Sequence, residues 1–502
     1  MLTDLPALQV LLPLFTAPLC VIFSRFGKVA WLLSTVAVWL VAAMCITTFF
    51  QVYDSKEVLT YHMGGWQPPY GIEYRIDLLS ATMLALVSMI GAMVMPYAMR
   101  SVNEEIARER QPYFYAAFLL CLSGLLGILS TNDAFNLYVF LEISSLSSYA
   151  LIAMGRDRRA LTAAFQYLML GTIGATFILI GIGYLYLMTG TLNISDLSTR
   201  ISGIEDTRPV LVAFAFLAVG LCMKIALYPL HMWLPNAYAY APSVISAFLA
   251  AVATKVGVYA VLRFFYTLFG YEYSFNGMHL ALIFTALAIP AMLIGSTVAI
   301  FQNNLKRMLA FSSIAQIGYI TLGIGLDSTN GLTAAIVHMI NHSVIKFTLF
   351  LALGCFALRL GSKVNLNSVR GIGKHMPFTS LAFVIGGIAL IGVPLTNGFI
   401  SKWYLLTASL DHGWWLITVV IVICSLLALT YVWRVVEAIY FGTLNEKFDQ
   451  TIEAPASMVI PLWIMVGVIV WLGVDTRYTV GVAEIIVQNL MPLNLNTTGG
   501  GV

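Results

Sequence analysis

The chain contains a long series of apolar stretches, about fourteen in all, each close to the ~20 residues that cross a bilayer as an α-helix. They run from Pro6 to Trp471 with short polar connections between them. Each stretch is continuously apolar and does not alternate, which excludes a transmembrane barrel. Charged residues make up 10% of the 502 residues, against about 25% in an ordinary soluble domain. The sequence therefore predicts an all-α polytopic membrane protein.

The cations between these stretches are unevenly distributed. If the loops after predicted helices 1, 3, 5, 9, 11 and 13 share one side, that side, called here the cation-rich face, holds fifteen Lys and Arg residues and the opposite face holds five. The cation-rich set is Arg25, Lys28, Arg100, Arg108, Arg110, Arg156, Arg158, Arg159, Lys306, Arg307, Arg359, Lys363, Arg370, Lys374 and Lys447. The other set is Lys56, Arg75, Arg200, Arg208 and Arg477. Because such an excess marks the cytoplasmic side, both termini are expected on the non-cytoplasmic side.

Two of the stretches are interrupted by proline. "GLCMKIALYPLHMWLPNAYAYAPSVISAF" places Lys224 before Pro229 and Pro235, and "GGIALIGVPLTNGFISKW" places Pro394 before Lys402. Proline removes a backbone donor, and at membrane depth the freed carbonyl groups need protein or water as partners. A pair of broken spans in corresponding halves is typical of the pathway in an internally repeated transporter. We therefore predict that helices 7 and 12 are broken.

The predicted helices fall into four segments. Residues 1–110 hold helices 1–3 and an outer loop, 111–268 hold helices 4–8, 269–442 hold helices 9–13, and 443–502 hold helix 14 and a tail. The outer loop, "YHMGGWQPPYGIEYRID", has the glycine, proline and aromatic content of an interfacial loop. Helices 4–8 and 9–13 are the two predicted halves.

Six cations fall in or near the apolar stretches: Lys224, Lys255, Arg263, Lys346, Lys402 and Arg434. Arg263 and Arg434 lie near predicted helix ends, so they are expected to extend toward the headgroups. The four lysines lie deeper, where a charged side chain costs at least about 2.5 kcal/mol. We interpret them as functional; the alternative is that they staple helices together. Glu142, half-way along predicted helix 5, is the most deeply placed carboxylate, and Lys224 is its candidate partner.

A basic stripe runs through "IVHMINHSVIKFTLFLALG", where His338, His342 and Lys346 recur at intervals of four. On a helix these positions drift by only about 40° per step, so the three side chains share one face. Two alternatives are a metal site, which would need a third ligand that the sequence does not supply, and two core histidines. Histidine titrates near pH ~6.5, and a desolvated lysine can titrate in the same range. The stripe therefore favours proton transfer.

No cofactor is indicated by the sequence. There is no GxGxxG and no GxxxxGK[ST] motif for a nucleotide, and the cysteines stand singly in apolar stretches, as packing residues do. They are Cys20, Cys45, Cys121, Cys222, Cys355 and Cys424. We expect no cofactor, no metal and no nucleic acid, and an energy source outside this chain.

Three motifs carry a family resemblance: "KIALYPLHMWLPNAYAYAPSVISAFLAAVATKVGVYAVLRF", "HMINHSVIKFTLFLALG" and "GVPLTNGFISKW". They resemble the proton-conducting membrane subunits shared by respiratory complex I and the Mrp-type sodium/proton antiporters, over roughly residues 70–440. The whole chain looks most like the D-type subunit of the Mrp-type complexes. The resemblance implies fourteen helices with two inverted five-helix repeats, whose broken helices 7 and 12 meet a polar axis at mid-membrane.

The resemblance also implies roles along that axis. Glu142 and Lys224 would be the ion pair of helices 5 and 7, and Lys255 in "VATKVGVY" the central lysine of helix 8. The chain departs from many relatives at Asn236, where they have aspartate, and at Tyr238, where they have histidine. This departure weakens the case for a titratable relay or cation ligand in the loop between helices 7 and 8.

In the second half, the resemblance makes His338, His342 and Lys346 the central stripe and Lys402 the terminal lysine of helix 12. All of these positions carry the residue type that the family uses. Together with Glu142, they would form one proton path through the chain.

Two functions fit this path. The first is a secondary transporter subunit, not an enzyme, that moves protons in a monovalent cation (Na⁺)/proton antiporter complex with other membrane subunits, including a larger homologous one, in the bacterial inner membrane. The second is a proton-pumping subunit of a redox enzyme related to complex I or to membrane-bound hydrogenases. A third reading is the membrane subunit of an inorganic-carbon uptake system.

Overall fold

The computed structural model describes residues 4–24, 28–361, 364–443 and 452–491. Of the cations assigned to the cation-rich face, Arg25, Lys363 and Lys447 lie outside the described residues, as does the tail from residue 492 onward.

The described residues are almost entirely helical. The first nine α-helices are α1 (Leu5–Ile22), α2 (Val29–Ser55), α3 (Leu78–Glu105), α4 (Gln111–Ser130), α5 (Ala134–Ala153), α6 (Arg159–Thr189), α7 (Ile194–Ile201), α8 (Arg208–Lys224) and α9 (Leu234–Tyr240). The next nine are α10 (Ser243–Leu262), α11 (Leu280–Ile300), α12 (Leu305–Gly325), α13 (Thr329–Leu360), α14 (Pro377–Ile391), α15 (Asn397–Asp411), α16 (Trp415–Phe441), α17 (Ala456–Val474) and α18 (Val482–Leu490).

Twelve of these helices are long and apolar enough to cross a membrane by themselves. The predicted all-α polytopic fold is therefore confirmed. Four of the remaining helices form two broken spans: α8 ends at Lys224 before α9, and α14 ends at Ile391 before α15. With each broken span counted as one crossing, the twelve helices and the two broken spans give fourteen crossings among the described residues, the number that the sequence predicts. The inverted relation between the halves and the segment boundaries stay predictions.

The first break shows how a helix can stop at membrane depth. Ala226 adopts a left-handed conformation, with φ of 56°, directly after α8. The carbonyl oxygen of Met223 accepts a hydrogen bond from the indole nitrogen of buried Trp233 at 3.0 Å. The Trp233 ring in turn stacks on Tyr167, with centroids 3.9 Å apart. A side chain therefore satisfies a backbone group that has no water partner in lipid.

The outer segment after α2 is more ordered than the predicted interfacial loop. It forms an antiparallel pair of strands, β1 (Leu59–His62) and β2 (Glu73–Ile76). The Glu73 carboxylate, which is 9% exposed, accepts hydrogen bonds from Asn132 at 2.8 Å and Asn193 at 2.9 Å. The loop between α4 and α5 and the loop between α6 and α7 thus hold this hairpin. The local sequence does not reveal these long-range contacts.

Arg263 does not extend toward the headgroups, so that expectation is wrong. Its guanidinium pairs with Asp77, the residue that caps the start of α3, and donates hydrogen bonds to Tyr259 and Ser80 at 2.9 Å each. The folded chain brings a carboxylate to the same depth, so an internal ion pair replaces the headgroup contact. The pair joins α3 to the helix that carries Lys255.

We expect Arg263→Gln to lower the free energy of unfolding by about 2 kcal/mol, less than for a fully enclosed pair because the Asp77 side chain is 27% exposed. Arg200→Gln is the matched control, since Arg200 and Asp196 form a pair that is 46% and 26% exposed and such surface pairs contribute about 0–1 kcal/mol. Thermal unfolding of the purified protein measures both. Equal losses in the two variants would contradict a stabilising role for the inner pair.

Helix α13 lies at the centre of the fold. Helices α3, α10, α12, α14, α15 and α17 all pack against it. Its residues are buried almost without interruption from Gly331 to Ala357. This packing places the basic stripe of α13 inside protein, away from lipid.

Candidate functional site: a buried row of titratable residues

Seven predicted residues form the candidate site, called here the buried row: Glu142, Lys224, Lys255, His338, His342, Lys346 and Lys402. They lie on α5, α8, α10, α13 and α15, so both broken spans contribute.

The row begins with an ion pair. Lys224 Nζ lies 3.3 Å from Glu142 Oε1 and donates a hydrogen bond to Ser145 Oγ at 3.0 Å. The two charged side chains are 7% and 19% exposed. Since Lys224 is the last residue of α8, its position depends on where the helix breaks. A small movement at the break can therefore lengthen this ion pair.

A small cavity adjoins Lys224 and extends toward α10. Its volume is about 40 Å³, and Ser144, Ser145 and Ser148 of α5 line it together with Gly257 of α10. A cavity of this size with polar walls can hold a water molecule. The space between the ion pair and the helix of Lys255 is thus suited to a proton-carrying water.

Lys255 is completely buried and donates a hydrogen bond to the carbonyl oxygen of Ala250 on its own helix. Among the described residues it belongs to no ion pair. An ammonium with carbonyl contacts and no carboxylate partner is costly to bury when charged. The site therefore favours transient protonation of this amine.

The two histidines of α13 have different surroundings. His338 Nδ1 lies 2.7 Å from Ser401 Oγ of α15, and Nε2 lies 2.9 Å from Gln316 Oε1 of α12. His342 is fully buried, and neither of its ring nitrogens has a partner among the described residues. The two rings are parallel, with centroids 5.8 Å apart. Protein oxygens therefore engage both nitrogens of His338, whereas both nitrogens of His342 are open to a proton-carrying water.

Lys346 joins α13 to α12. Its ammonium donates to the carbonyl oxygen of Leu309 at 2.8 Å and also to Ser312 Oγ, and its side chain is completely buried. These partners are neutral, so the charge of a protonated Lys346 is solvated by dipoles only.

Lys402 ends the row at the second break. Its Nζ donates to the last two carbonyl oxygens of α14, those of Leu390 at 3.0 Å and Ile391 at 2.8 Å. A cation is favoured at this end of a helix because the backbone carbonyls carry partial negative charge there. The same ammonium lies 3.3 Å from Ser425 Oγ and borders a cavity of about 220 Å³.

Gly392 makes room for this lysine. Its φ is 90°, and a Cβ there would lie 2.8 Å from Lys402 Cδ. We expect Gly392→Ala to cost at least about 1–2 kcal/mol of backbone strain and, in addition, to displace Lys402 and slow transport. Gly190→Ala is the matched control, because Gly190 also has a left-handed conformation, with a φ of 70°, and no described atom lies within 4 Å of the position that a Cβ would take. Equal transport by the two alanine variants would show that only backbone strain matters.

The fold brings Glu142 and Lys224 into contact and stacks His338 near His342. The remaining members of the row are held separately by neutral oxygens. The sequence analysis missed the side-chain oxygens that contact the row, which belong to Ser145, Ser312, Gln316, Ser401 and Ser425. The run "FSSIAQ" within an apolar stretch was the available signal for Ser312 and Gln316.

Asn236 and Tyr238, the two positions at which the chain departs from many relatives, lie on α9. Asn236 Nδ2 donates to Gln166 Oε1 at 2.9 Å, and the buried Tyr238 hydroxyl donates to the Leu249 carbonyl oxygen at 3.1 Å. Both side chains make structural contacts with neighbouring helices.

Comparison with known proteins agrees with the motifs. Residues 131–428 match the family described as NADH:quinone oxidoreductase/Mrp antiporter, TM. The chain belongs to this family. The matched range of the NADH:quinone oxidoreductase/Mrp antiporter family contains all seven members of the buried row. The chain is thus an antiporter-like membrane subunit of the kind found in both types of complex.

Named relatives represent both types. The chain is 40% identical over 487 residues to NADH-quinone oxidoreductase subunit N of Desulforudis audaxviator, covering 94% of this chain and 96% of the relative. It is 31% identical over 484 residues to the putative antiporter subunit mnhD2 of Staphylococcus epidermidis, covering 96% of this chain and 95% of the relative.

The solved structures that match likewise include both a respiratory complex and an Mrp complex. An archaeal membrane-bound sulfane sulfur reductase, a respiratory membrane complex, contains a chain that matches with a TM-score of 0.88 and 30% identity over 97% of this chain and 98% of that one. The Mrp complex of Dietzia sp. contains one with a TM-score of 0.88 and 25% identity, covering 98% of each chain. These relatives are components of multisubunit membrane complexes.

Proposed function

We propose that this chain translocates protons along the buried row as a subunit of a multisubunit monovalent cation (Na⁺)/proton antiporter complex. The observation that carries the proposal is the ion pair of Lys224 and Glu142 at a helix break, 3.3 Å apart. It lies beside a cavity that can hold water, in a row with two completely buried lysines, Lys255 and Lys346. Such residues inside a membrane protein mark ion pathways.

The arrangement supports a coupling by charge. A proton that arrives on Lys255 adds a positive charge behind the ion pair and weakens the attraction between Lys224 and Glu142. Lys224 then shifts at the end of α8, and its charge favours release of the next proton along the row. His342, which has no protein partner among the described residues, and Lys346 carry the proton across the second half toward Lys402.

The proposal includes partners and a location. Other membrane subunits, among them a larger homologous antiporter-like subunit, would supply the cation path, in a bacterial cytoplasmic membrane with both termini on the non-cytoplasmic side. Helix α16 carries exposed apolar residues such as Leu426 and Trp433, which are 58% and 54% exposed, and Leu426 lines the cavity that Lys402 borders. A neighbouring subunit at this position would extend the row.

A redox-driven complex is the second candidate. Its specific support is the 40% identity to a protein named NADH-quinone oxidoreductase subunit N. The same residues would then move protons, and electron transfer in partner subunits would drive them.

The test is to isolate the native complex in mild detergent and to identify its subunits by mass spectrometry. If the isolated complex contains only homologous and small hydrophobic subunits, we expect antiport. Na⁺ added to inverted membrane vesicles should then dissipate an imposed pH gradient. Flavin, iron–sulfur or nickel subunits, with proton movement on addition of a reductant and none with Na⁺, would establish the redox alternative.

A further inference from the structure

Lys306 is the unexpected feature of the cation-rich face. The sequence analysis assigned it to an exposed loop, but it is the second residue of α12 and is only 5% exposed. Its Nζ donates to Ser243 Oγ at 3.0 Å and to the Ala241 carbonyl oxygen at 3.3 Å. A cation is disfavoured at the start of a helix, where the backbone amides carry partial positive charge. A protonated Lys306 is therefore held at an electrostatic cost.

Glu105 reaches the same point from the end of α3. Its Oε2 accepts the backbone N–H of Ser243 at 2.8 Å, and its Oε1 accepts the hydroxyl of Ser101 at 2.8 Å. Ser243, the first residue of α10, thus lies between a buried amine and a carboxylate. The charge of Glu105 acts on Lys306. Lys306, Glu105 and Ser243 form a cluster at the start of α10, the helix that carries Lys255.

A polar cavity of about 840 Å³ opens beside this cluster. Tyr240 and Arg307 line it, and they are the chain neighbours of Ala241 and Lys306. Because the Arg159 side chain, which also lines it, is 53% exposed, the cavity reaches the surface, and water that enters it meets the segment next to Lys306.

Helix α12 connects Lys306 to the residues that hold Lys346 of the buried row. Leu309, whose carbonyl oxygen holds Lys346 at 2.8 Å, lies three residues further along α12, a rise of about 4.5 Å. Ser312, the other partner of Lys346, follows three residues later. Lys306 and the two residues that hold Lys346 therefore follow one another along the first two turns of α12.

We propose that Lys306, with Glu105 and Ser243, is the site at which protons pass between the cavity of the cation-rich face and the buried row. The proposal rests on the proposed function and adds the point of proton exchange. During antiport the Lys346 ammonium transfers its proton through water to the neutral amine of Lys306, and the Lys306 ammonium formed then releases that proton to water in the cavity. Each cycle moves one proton and returns Lys306 to its starting state.

Two substitutions in the assembled complex test this proposal. Lys306→Met removes the titratable group, and Lys306→Arg keeps the charge and donors but does not release its proton near neutral pH. In inverted vesicles, where the cation-rich face is predicted to contact the medium, we expect both to reduce proton movement by roughly a hundredfold, the order typical of a positioned proton-transfer group. We also expect the residual rate to lose its dependence on the pH of the medium. Subunit ratios and thermal unfolding check assembly.

Lys374→Met is the matched control, because Lys374 is an exposed cation assigned to the same face, and it should transport like the wild type. Wild-type transport by Lys306→Arg with loss in Lys306→Met would make Lys306 a structural staple and overturn the proposal, as would an unchanged rate in both. Proton movement is read with a pH-sensitive dye under either Na⁺ or reductant. If wild-type vesicles respond to reductant only, antiport fails, whereas the comparison of Lys306 variants still decides the proton-exchange site.

Discussion

Lys224→Met is expected to lower proton transport by the assembled complex by roughly a hundredfold or more, as the loss of a positioned proton-transfer group does. The reason is the contact of Lys224 Nζ with Glu142 Oε1 at 3.3 Å and with Ser145 Oγ at 3.0 Å. Without the ammonium, Glu142 loses its cation, and a proton arriving on Lys255 has no ion pair to open. Proton movement in vesicles, normalised to the amount of complex, measures the effect.

A double substitution separates transport from stability. Lys224→Met leaves a carboxylate unpaired, and Glu142→Gln leaves an ammonium unpaired, so each should also destabilise the protein. The combination of both substitutions removes the two charges together and should recover most of the stability while transport stays low. Asp196→Asn, in the exposed pair with Arg200, is the matched control and should affect neither. Recovery of transport in the double variant would contradict the proposed role of the pair.

Lys346→Met is expected to cause a loss of the same order, roughly a hundredfold, and to leave the protein as stable or more stable. The Lys346 side chain is completely buried, and its partners, the Leu309 carbonyl oxygen and Ser312 Oγ, are neutral. Burying a charge without an ionic partner is costly, so an apolar side chain of similar size removes that cost. Function and stability should therefore change in opposite directions.

Transport in vesicles and thermal unfolding of the purified complex provide the two readouts. Lys374→Met changes the same residue type at an exposed position and should leave both unchanged. A Lys346→Met complex that unfolds earlier and transports in proportion to its folded fraction would identify Lys346 as a staple between α12 and α13.

Local sequence patterns were sufficient for some features of this protein. The length of the apolar stretches sets the number of crossings, because each helix must satisfy its own backbone in lipid. The prolines after Lys224 and before Lys402 located both breaks. The depth of the four lysines within apolar stretches identified the candidate site, since charges there are costly without a function.

Other positions show where local patterns fail. Arg263 was expected at the headgroups but pairs with Asp77, 186 residues earlier in the chain. Lys306 was expected in a loop but is 5% exposed. The segment before α3 was expected to be a loop but forms two strands. In each case the deciding partner lies on a distant element, so the outcome depends on the packing of that element.

The sequence by itself determined that the chain crosses the membrane many times, where its helices break and which titratable residues lie at depth. These properties follow from hydropathy and from backbone chemistry, which act within a single helix. Only the tertiary structure decided which oxygen atoms hold each ammonium, such as Glu142, 82 residues before Lys224, and Leu309, 37 residues before Lys346. Hydrogen bonds act over about 3 Å, so the partners of a buried charge are fixed only once distant helices have packed together.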